Sequence, residues 1–359
     1  MLNFKIFVLL LTIVNGTRAL DCLQIPETQV SAGNTVYIPG PSAGLQTLPA
    51  NFDCLYRITV PTTETSGLYA NVTVLNGMKG VNDFIRVLDA TNERHTLDSR
   101  QGNATSTYFV IPGAEITVQV ATKSVLMNSQ FGITVGYHTA HIGNTVVMKT
   151  GGEMNYFDMA NTRNGKSTFS SITFSTEQWN EQDGGIFFTT VSDPRWPVAC
   201  DFCYVIDGNM TYQWETFHLL DAAVAVGFAT TTNQITFVSF QDGHTGIVLN
   251  TGNESHPYKP FTAVAAIPNN PYYGNSQNYP EFTTAIEVIN PDSTGIRIKG
   301  ITVWTDYCNA YIVSGPPNNS SKFLMNIETR IDSKSFDLKS LTIINHNCTF
   351  HYAIEGYVP

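Results

Sequence analysis

Short runs in which apolar and polar residues alternate recur along the whole chain, and they are rich in Val, Ile, Thr, Phe and Tyr. The clearest of them read YRITV, LYANVTV, FIRVL, ITVQV, FGITV, ITFVSF, GITVW and LTIIN. Alternation with a period of two is typical of β-strands that bury one face, whereas a sustained helical period is hard to find. The sequence therefore predicts an all-β protein.

One strand pattern is repeated at a spacing of 118 residues. DFIRVLDA spans residues 83–90 and DFCYVIDG spans residues 201–208, so that each reads D-F-x-x-V-x-D-[AG]. A weaker third copy, DYCNAYIVSG, spans residues 306–315. In this pattern the first Asp opens a strand, and the second begins the turn that ends it. The repeat predicts consecutive β units of about 110 residues.

These units divide the chain into three predicted domains. We place them at residues 20–140, 141–253 and 254–359, the last being a faint copy of the repeat. The Pro-rich segment 256–280 is predicted to be a linker or a long loop.

The first 19 residues have the organisation of a secretory signal peptide. Lys5 is followed by an apolar run at residues 6–14, and Thr17 and Ala19 occupy the -3 and -1 positions of a cleavage site. A membrane helix needs about 20 apolar residues, which this run does not reach. We therefore expect an extracellular, secreted protein that is not inserted in a membrane.

Charge and composition limit the classes of partner that the protein can bind and describe its surface. The chain has a formal net charge of -10, which makes nucleic acid an unsuitable partner. Charged residues make up 13% of the sequence, against about 25% in a typical soluble domain. Ser, Thr, Asn, Gln and Gly must therefore cover much of the surface, as is common in secreted β proteins.

The cysteines and glycosylation triplets fit the same compartment. Six cysteines in an oxidising environment predict three disulfides. Local pairing keeps each bridge inside one predicted domain, although 15 pairings are formally open. The predicted pairs are Cys22 with Cys54, Cys200 with Cys203, and Cys308 with Cys348. N-glycosylation triplets begin at Asn71, Asn103, Asn209, Asn253, Asn318, Asn319 and Asn347.

The first unit carries motifs of a known family. C-x-Y-x-I-x-V-P at residues 54–61, followed by D-F-I-R-V-L-D and FGITVGY, resembles a CUB domain, most closely the CUB-like domain that is multiplied in nematode secreted proteins. The resemblance is partial over residues 141–253 and faint over residues 254–359. It implies β-sandwiches of two antiparallel sheets in jelly-roll style that bind proteins or glycans. It also implies intestinal or secreted proteins of innate immunity, induced during infection and stress.

Two features depart from the general CUB pattern. The cysteines of a second disulfide around Asp83 are missing. Asp83 matches one calcium ligand of CUB domains, but a later carboxylate is lacking, so no metal is expected in the first unit. The second unit keeps Asp201 and Asp242, which are either calcium ligands or turn residues. We predict no metal and no cofactor.

Several short motifs resemble catalytic or nucleotide-binding sites, but each also has a structural explanation. ANTRNGKS at residues 160–167 satisfies a relaxed phosphate-binding loop, but the run STFSSITFST after its Lys predicts a strand instead of the required helix. CDFC at residues 200–203 has the spacing of a redox pair, although its surroundings favour a structural disulfide. The eight histidines are scattered, and motifs of common hydrolases are absent. No enzyme activity is predicted.

The predicted function is therefore a secreted, glycosylated, non-enzymatic CUB-like protein that recognises extracellular protein or glycan ligands, microbial ones included, through loops at the sandwich ends. Two other classes stay open. One is a structural component of a lumenal or cuticular matrix, and the other is a hydrolase on a jelly-roll scaffold.

Overall fold

The computed structural model describes residue 22 and the ranges 24–62, 67–125, 127–148, 155–162, 169–177, 185–196, 200–224, 228–241, 243–251, 257–292 and 295–358. The predicted signal peptide lies outside these residues. The chain divides into two compact units, Met1–Ala140 and His141–Pro359. The described residues are almost entirely strands, so the all-β prediction is confirmed.

The first unit is a sandwich of two antiparallel sheets. Its strands are β1 Thr35–Ile38, β2 Gln46–Thr47, β3 Asp53–Thr59, β4 Gly67–Gly77, β5 Phe84–Leu88, β6 Arg94–Asp98, β7 Thr105–Val110, β8 Glu115–Ala121 and β9 Gln130–Ala140. One sheet has the order β1-β9-β4-β7, with β2 also paired to β9, and the other has the order β3-β8-β5-β6. A 3-10 turn at Glu27–Gln29 precedes them.

Strict alternation along the strands builds the core of this unit. In β3, Cys54, Tyr56 and Ile58 are buried, and the residues that alternate with them are exposed. Their partners on β8 include Val118 and Ile116, which are fully buried. Because successive side chains of a strand point to opposite faces, the two sheets bury one apolar face each against the other.

The second unit contains three sheets. The strands of its first part are β10 Thr145–Val147, β11 Asn155–Asp158, β12 Ser170–Ser175, β13 Ile186–Ser192, β14 Cys203–Gly208, β15 Gln213–His218, β16 Gln234–Ser239 and β17 Gly246–Thr251. The remaining strands are β18 Tyr258–Ala265, β19 Tyr272–Ser276, β20 Thr283–Ile289, β21 Gly295–Val303, β22 Ala310–Ser314, β23 Phe323–Ile327, β24 Lys334–Phe336, β25 Ser340–Asn345 and β26 Phe350–Tyr357. A six-residue helix, α1 Leu219–Val224, and a 3-10 turn at Met159–Thr162 complete the unit.

An eight-stranded sheet, β11-β17-β13-β18-β20-β25-β22-β23, runs through this unit. A five-stranded sheet, β10-β12-β16-β14-β15, and a four-stranded sheet, β19-β26-β21-β24, accompany it. One apolar core includes Phe188 of β13 and Phe237 of β16, and another includes Ile343 of β25 and Phe350 of β26. Each smaller sheet therefore shares a core with one half of the large sheet.

The two halves of the large sheet meet where β13 pairs with β18 in parallel, with Val191 opposite Ala263. β18 lies inside the Pro-rich segment for which the sequence predicts a linker or long loop, so that prediction is wrong. Pro260 falls at the register shift between Tyr258 and Phe261, where a strand tolerates Pro because no ladder hydrogen bond is needed there. The division into three domains stays a prediction.

In the described parts of the chain, no helix is both long enough and apolar enough to cross a membrane.

Candidate functional site

A groove of about 480 Å3 opens at the strand ends of the five-stranded sheet, where β14 stops and β15 and β16 begin. Because β14 runs antiparallel to both β15 and β16, the end of β14 lies beside the starts of its two neighbours. The lining residues are Gly208, Tyr212, Trp214, Thr231, Thr232, Asn233 and Gln234. The β14–β15 hairpin thus forms one wall of the groove, and the loop leading into β16 forms the other.

The hairpin wall depends on a tight turn. Gly208 has a φ of +118°, and a Cβ atom there would lie 2.2 Å from the carbonyl oxygen of Tyr212. The Asn209 amide donates to that same oxygen at 2.9 Å, and the Asn209 Oδ1 atom accepts from the amides of Thr211 and Tyr212 at 2.9 and 2.8 Å. The turn leaves Tyr212 60% exposed and Trp214 62% exposed.

The carboxylate of Asp207 holds the loop wall. Its Oδ2 atom accepts hydrogen bonds from the amide and the hydroxyl of Thr231, and its Oδ1 atom accepts from the amide and the hydroxyl of Thr232 at 3.2 and 2.7 Å. Asp207 is only 3% exposed. Burying a carboxylate without partners is costly, so these four donors and the loop conformation depend on one another.

The two walls are also joined directly. The Asn209 Nδ2 atom, on the hairpin, donates to the Gln234 Oε1 atom, on the loop, at 2.6 Å. The Asp207 carboxylate and this carboxamide pair therefore fix the width of the groove. A ligand would meet a site that is already formed and would spend little binding free energy on ordering it.

The groove combines aromatic rings with uncharged hydrogen-bonding groups. The rings belong to Tyr212 and Trp214, and the polar groups are two Thr hydroxyls and the carboxamides of Asn233 and Gln234. None of the lining residues is Asp, Glu, Lys, Arg or His. Such a surface suits a neutral ligand that has apolar faces and many hydroxyls. Paired carboxylates for glycoside hydrolysis have no candidates among the lining residues.

None of these seven residues is among the site residues predicted from the sequence. A local signal exists, because Tyr212 and Trp214 are two positions apart, and in a strand such residues share a face. Gln213 and Glu215 alternate with this pair and lie on the opposite face of the strand. The loop wall has no comparable signal, since its anchor at Asp207 is 24 residues away in sequence.

The predicted cysteine pairs are all bonded in the structure. Their Cα–Cα distances are 5.4, 5.3 and 4.8 Å for Cys22–Cys54, Cys200–Cys203 and Cys308–Cys348. Cys200–Cys203 lies where β14 begins, and a helix N-terminus that would lower a thiol pKa does not follow it. The structure therefore favours the structural alternative for CDFC.

Asp83, which matches a calcium ligand of CUB domains, uses its carboxylate within the protein. The Oδ1 atom accepts from the amides of Lys123 and Ser124 at 2.8 and 3.0 Å, and the Oδ2 atom accepts from the Ser129 hydroxyl at 2.6 Å. Burial works to raise the pKa of Asp83, but the hydrogen bonds from the Ser129 hydroxyl and the two amides outweigh it and hold the pKa below its usual value. Asp83 is a structural acceptor here.

The repeated Asp residues of the two units have different roles. Asp89 begins a turn as predicted, because its Oδ1 atom accepts from the amides of Thr91 and Glu93. Asp207 does not begin the turn that ends β14, since its carboxylate binds the loop wall and Asn209 supports the turn instead. The prediction is wrong for Asp207, because its donors lie on another segment.

The structure describes one of the two candidate calcium ligands of the second unit. Asp201 is exposed in the turn before β14, and Asp242 lies outside the described residues. The two residues stay either calcium ligands or turn residues.

The predicted glycosylation sites differ in exposure. Asn103, Asn319 and Asn347 are exposed, and Asn253 lies outside the described residues. Asn209 and Asn318 are partly buried in turns, and Asn71 lies within β4 with its carboxamide oxygen buried. Exposed acceptors are the more accessible candidates for modification, which stays a prediction at every site.

The relaxed phosphate-loop motif begins in the 3-10 turn Met159–Thr162, and its residues 163–167 lie outside the described part of the chain. The next element among the described residues is the strand β12, as the sequence predicts. A phosphate loop needs a helix at that point.

Sequence comparison confirms the resemblance for the first unit. Residues 17–140 match the CUB-like domain family. A CUB-like domain is a binding-domain fold that is typically non-catalytic, and together with three disulfides it is a feature of extracellular proteins. No curated protein sequence matches the chain.

Among solved structures, the CUB1-EGF-CUB2 domains of rat MASP-1 align with a TM-score of 0.23 and 11% identity, covering 93% of this chain and 99% of that one. The CUB1-EGF-CUB2 domain of human MASP-1/3 aligns with a TM-score of 0.23 and 12% identity, covering 89% of this chain and 99% of that one. A structure of Sulfolobus turreted icosahedral virus aligns with a TM-score of 0.23 and 9% identity, covering 86% of this chain and 85% of that one. Similarity at this level carries no functional inference.

Proposed function

We propose that this protein is a secreted, non-enzymatic binding protein that recognises neutral glycans in the groove between the β14–β15 hairpin and residues 231–234. The observation that carries the proposal is the pair of exposed rings, Tyr212 and Trp214, beside hydroxyl and carboxamide groups. Sugar rings present C–H faces that pack on aromatic faces and hydroxyls that bind amides. Extracellular glycans are available to a protein that leaves the cell through a signal peptide.

A role in innate defence or stress in the gut lumen or extracellular space is part of the proposal. It is supported by the resemblance of the first unit to the nematode CUB-like group, and microbial surfaces would then supply the glycan. The groove itself lies in the second unit, so ligand recognition and the CUB-like match are independent supports. A matrix protein or a hydrolase would give different results in the following test.

The test is a glycan array probed with the secreted protein and two variants. Trp214→Ala removes a ring of the groove, and Trp304→Ala removes a ring that is similarly exposed, at 67%, but lies outside the groove. We expect binding to a defined set of neutral glycans that Trp214→Ala weakens about 10-fold or more, since Trp truncation at a binding site often costs that much. Trp304→Ala should bind as the unmodified protein does.

Equal binding by both variants, or an array without any neutral-glycan signal, would refute the proposal. Self-association without selective glycan binding would instead support the matrix alternative. Release of shortened glycans from bound ligand would support the hydrolase alternative.

A further inference from the structure

We propose that an N-glycan on Asn209 occupies the groove, so that the protein regulates access to its own site through glycosylation. Asn209-Met210-Thr211 is an N-x-[ST] triplet. It is the only such triplet among the described residues whose Asn lies directly between two groove residues in the hairpin turn, Gly208 and Tyr212. The inference rests on the proposed function, because the covalent glycan would use the same rings as an external one.

The position of the acceptor atom supports this occupancy. The Asn209 Nδ2 atom lies 2.6 Å from the Oε1 atom of Gln234, which lines the opposite wall. A sugar attached to this nitrogen replaces the proton that does not face Gln234 and therefore starts beside the hydrogen bond that joins the two walls. The rings of Tyr212 and Trp214 are exposed on the same hairpin, where the first sugars of an attached glycan would pack on them.

The turn can keep its hydrogen bonds when the glycan is present. The carboxamide nitrogen of Asn carries two protons, and one of them is bonded to Gln234. The Oδ1 atom, which accepts from the amides of Thr211 and Tyr212, is not changed by glycosylation. The modification thus adds a sugar to the groove without removing the interactions that shape it.

The covalent step is the ordinary transfer from a lipid diphosphate-linked oligosaccharide. The Asn209 Nδ2 atom forms a bond to the anomeric carbon, the bond between that carbon and the diphosphate oxygen breaks, and the nitrogen loses one proton. The diphosphate leaves with the bonding electron pair, so no oxidant or reductant is needed. The product is a neutral amide, which keeps the groove uncharged.

Other triplets provide a contrast within the same molecule. Asn103, which precedes β7, is exposed and belongs to the first unit, whereas all the groove residues belong to the second. A glycan there is attached outside the hairpin that carries Tyr212 and Trp214. Removing that glycan is therefore a matched control for removing the one at Asn209.

The experiment uses the full chain secreted from eukaryotic cells, with three variants. Thr211→Ala abolishes the Asn209 triplet but keeps the backbone amide that bonds Asn209. Thr211→Ser keeps the triplet, and Thr105→Ala abolishes the triplet at Asn103. Glycopeptide mass spectrometry measures occupancy at Asn209, acrylamide quenching of tryptophan fluorescence measures access to Trp214, and the glycan array measures ligand binding. Trp214→Phe in each background identifies the fluorescence that belongs to Trp214.

We expect a glycan on Asn209 in the unmodified protein. Thr211→Ala should make Trp214 more accessible to acrylamide and strengthen array binding about 10-fold, whereas Thr211→Ser and Thr105→Ala should match the unmodified protein. An unmodified Asn209, or an occupied Asn209 with the same quenching and binding as Thr211→Ala, would overturn the inference. If quenching changes but neither form binds any glycan, self-occupancy stands and the proposed external recognition fails.

Discussion

The Oδ2 atom of Asp207 accepts hydrogen bonds from both the amide and the hydroxyl of Thr231, each at 2.7 Å. Asp207→Asn keeps the shape of the side chain but presents an NH2 group to donors. We expect a loss of about 2 kcal/mol in the free energy of unfolding, with weaker glycan binding, because hydrogen bonds to a charged group are lost in a buried site. Urea denaturation measures it. Asp201→Asn, in an exposed turn, should change stability by no more than about 0.5 kcal/mol, and an equal effect of the two variants would contradict the prediction.

Substitution of two glycines with positive φ distinguishes the cost of backbone strain from the cost of a steric clash. Gly33 has a φ of +86° with open space around its missing Cβ, whereas Gly208 has a φ of +118° and a carbonyl oxygen at 2.2 Å from that position. Gly33→Ala should cost about 1 kcal/mol, since L residues disfavour this conformation. Gly208→Ala should cost clearly more and should also abolish groove binding. Thermal denaturation with array binding checks this, and similar losses would count against the steric account.

Asp83 should make stability depend on acid pH. Because its folded pKa lies below the unfolded value of about 3.9, its contribution is complete above that pH and is lost as the pH falls through the folded pKa. Asp83→Asn should therefore cost about 2 kcal/mol at pH 7 and progressively less below pH 4. Urea midpoints between pH 7 and pH 3 test it, with the exposed Asp53→Asn as control. A cost for Asp83→Asn that is constant over this range would show that the carboxylate is not responsible.

Calcium should leave the melting temperature unchanged. The carboxylate oxygens of Asp83 already accept three hydrogen bonds, and a calcium ion needs six to eight oxygen ligands. A weak site would add roughly 1 to 2 kcal/mol at 2 mM calcium. Melting curves in calcium and in EDTA should coincide. A calcium-dependent rise that Asp201→Asn abolishes would establish the second-unit site instead.

The Cys22–Cys54 bridge closes a loop of 32 residues. Cys22→Ser should release Cys54 as the single new thiol and should cost about 4 kcal/mol on the chain-entropy account. Thiol labelling and urea denaturation measure both effects. Cys54→Ser should have a similar cost, because either change removes the same bridge, and the double variant should add little. Additive losses would show that the two cysteines act independently.

Sequence pattern predicts the strands well wherever alternation is strict, as in the segment that contains Cys54, Tyr56 and Ile58. It predicts less well where tertiary contacts override local signals. Pro260 suggests a break, yet the strand accommodates it at a register shift. The six residues of α1 are too few to show a helical period.

The candidate site shows the same limit. The aromatic pair Tyr212 and Trp214 could be predicted from their spacing, because it needs only the period of a strand. The hydrogen bonds between Thr231 and Asp207 could not be predicted, since they join segments 24 residues apart and no sequence pattern pairs these segments. A groove made of two walls therefore becomes visible only in the folded chain.

The parallel pairing of β13 with β18 has a consequence for dissecting the protein. A chain cut after residue 253 would lose β18 and would leave Val191 and Ser192 of β13 without their backbone partners on that strand. It would also expose Val191 and Val248, which are buried in a cluster with Ala263 and Ile289. Such a fragment would offer a short unpaired strand edge and uncovered apolar side chains to other copies of itself, so recombinant production of residues 141–253 alone should yield aggregates, whereas residues 141–359 should stay in solution.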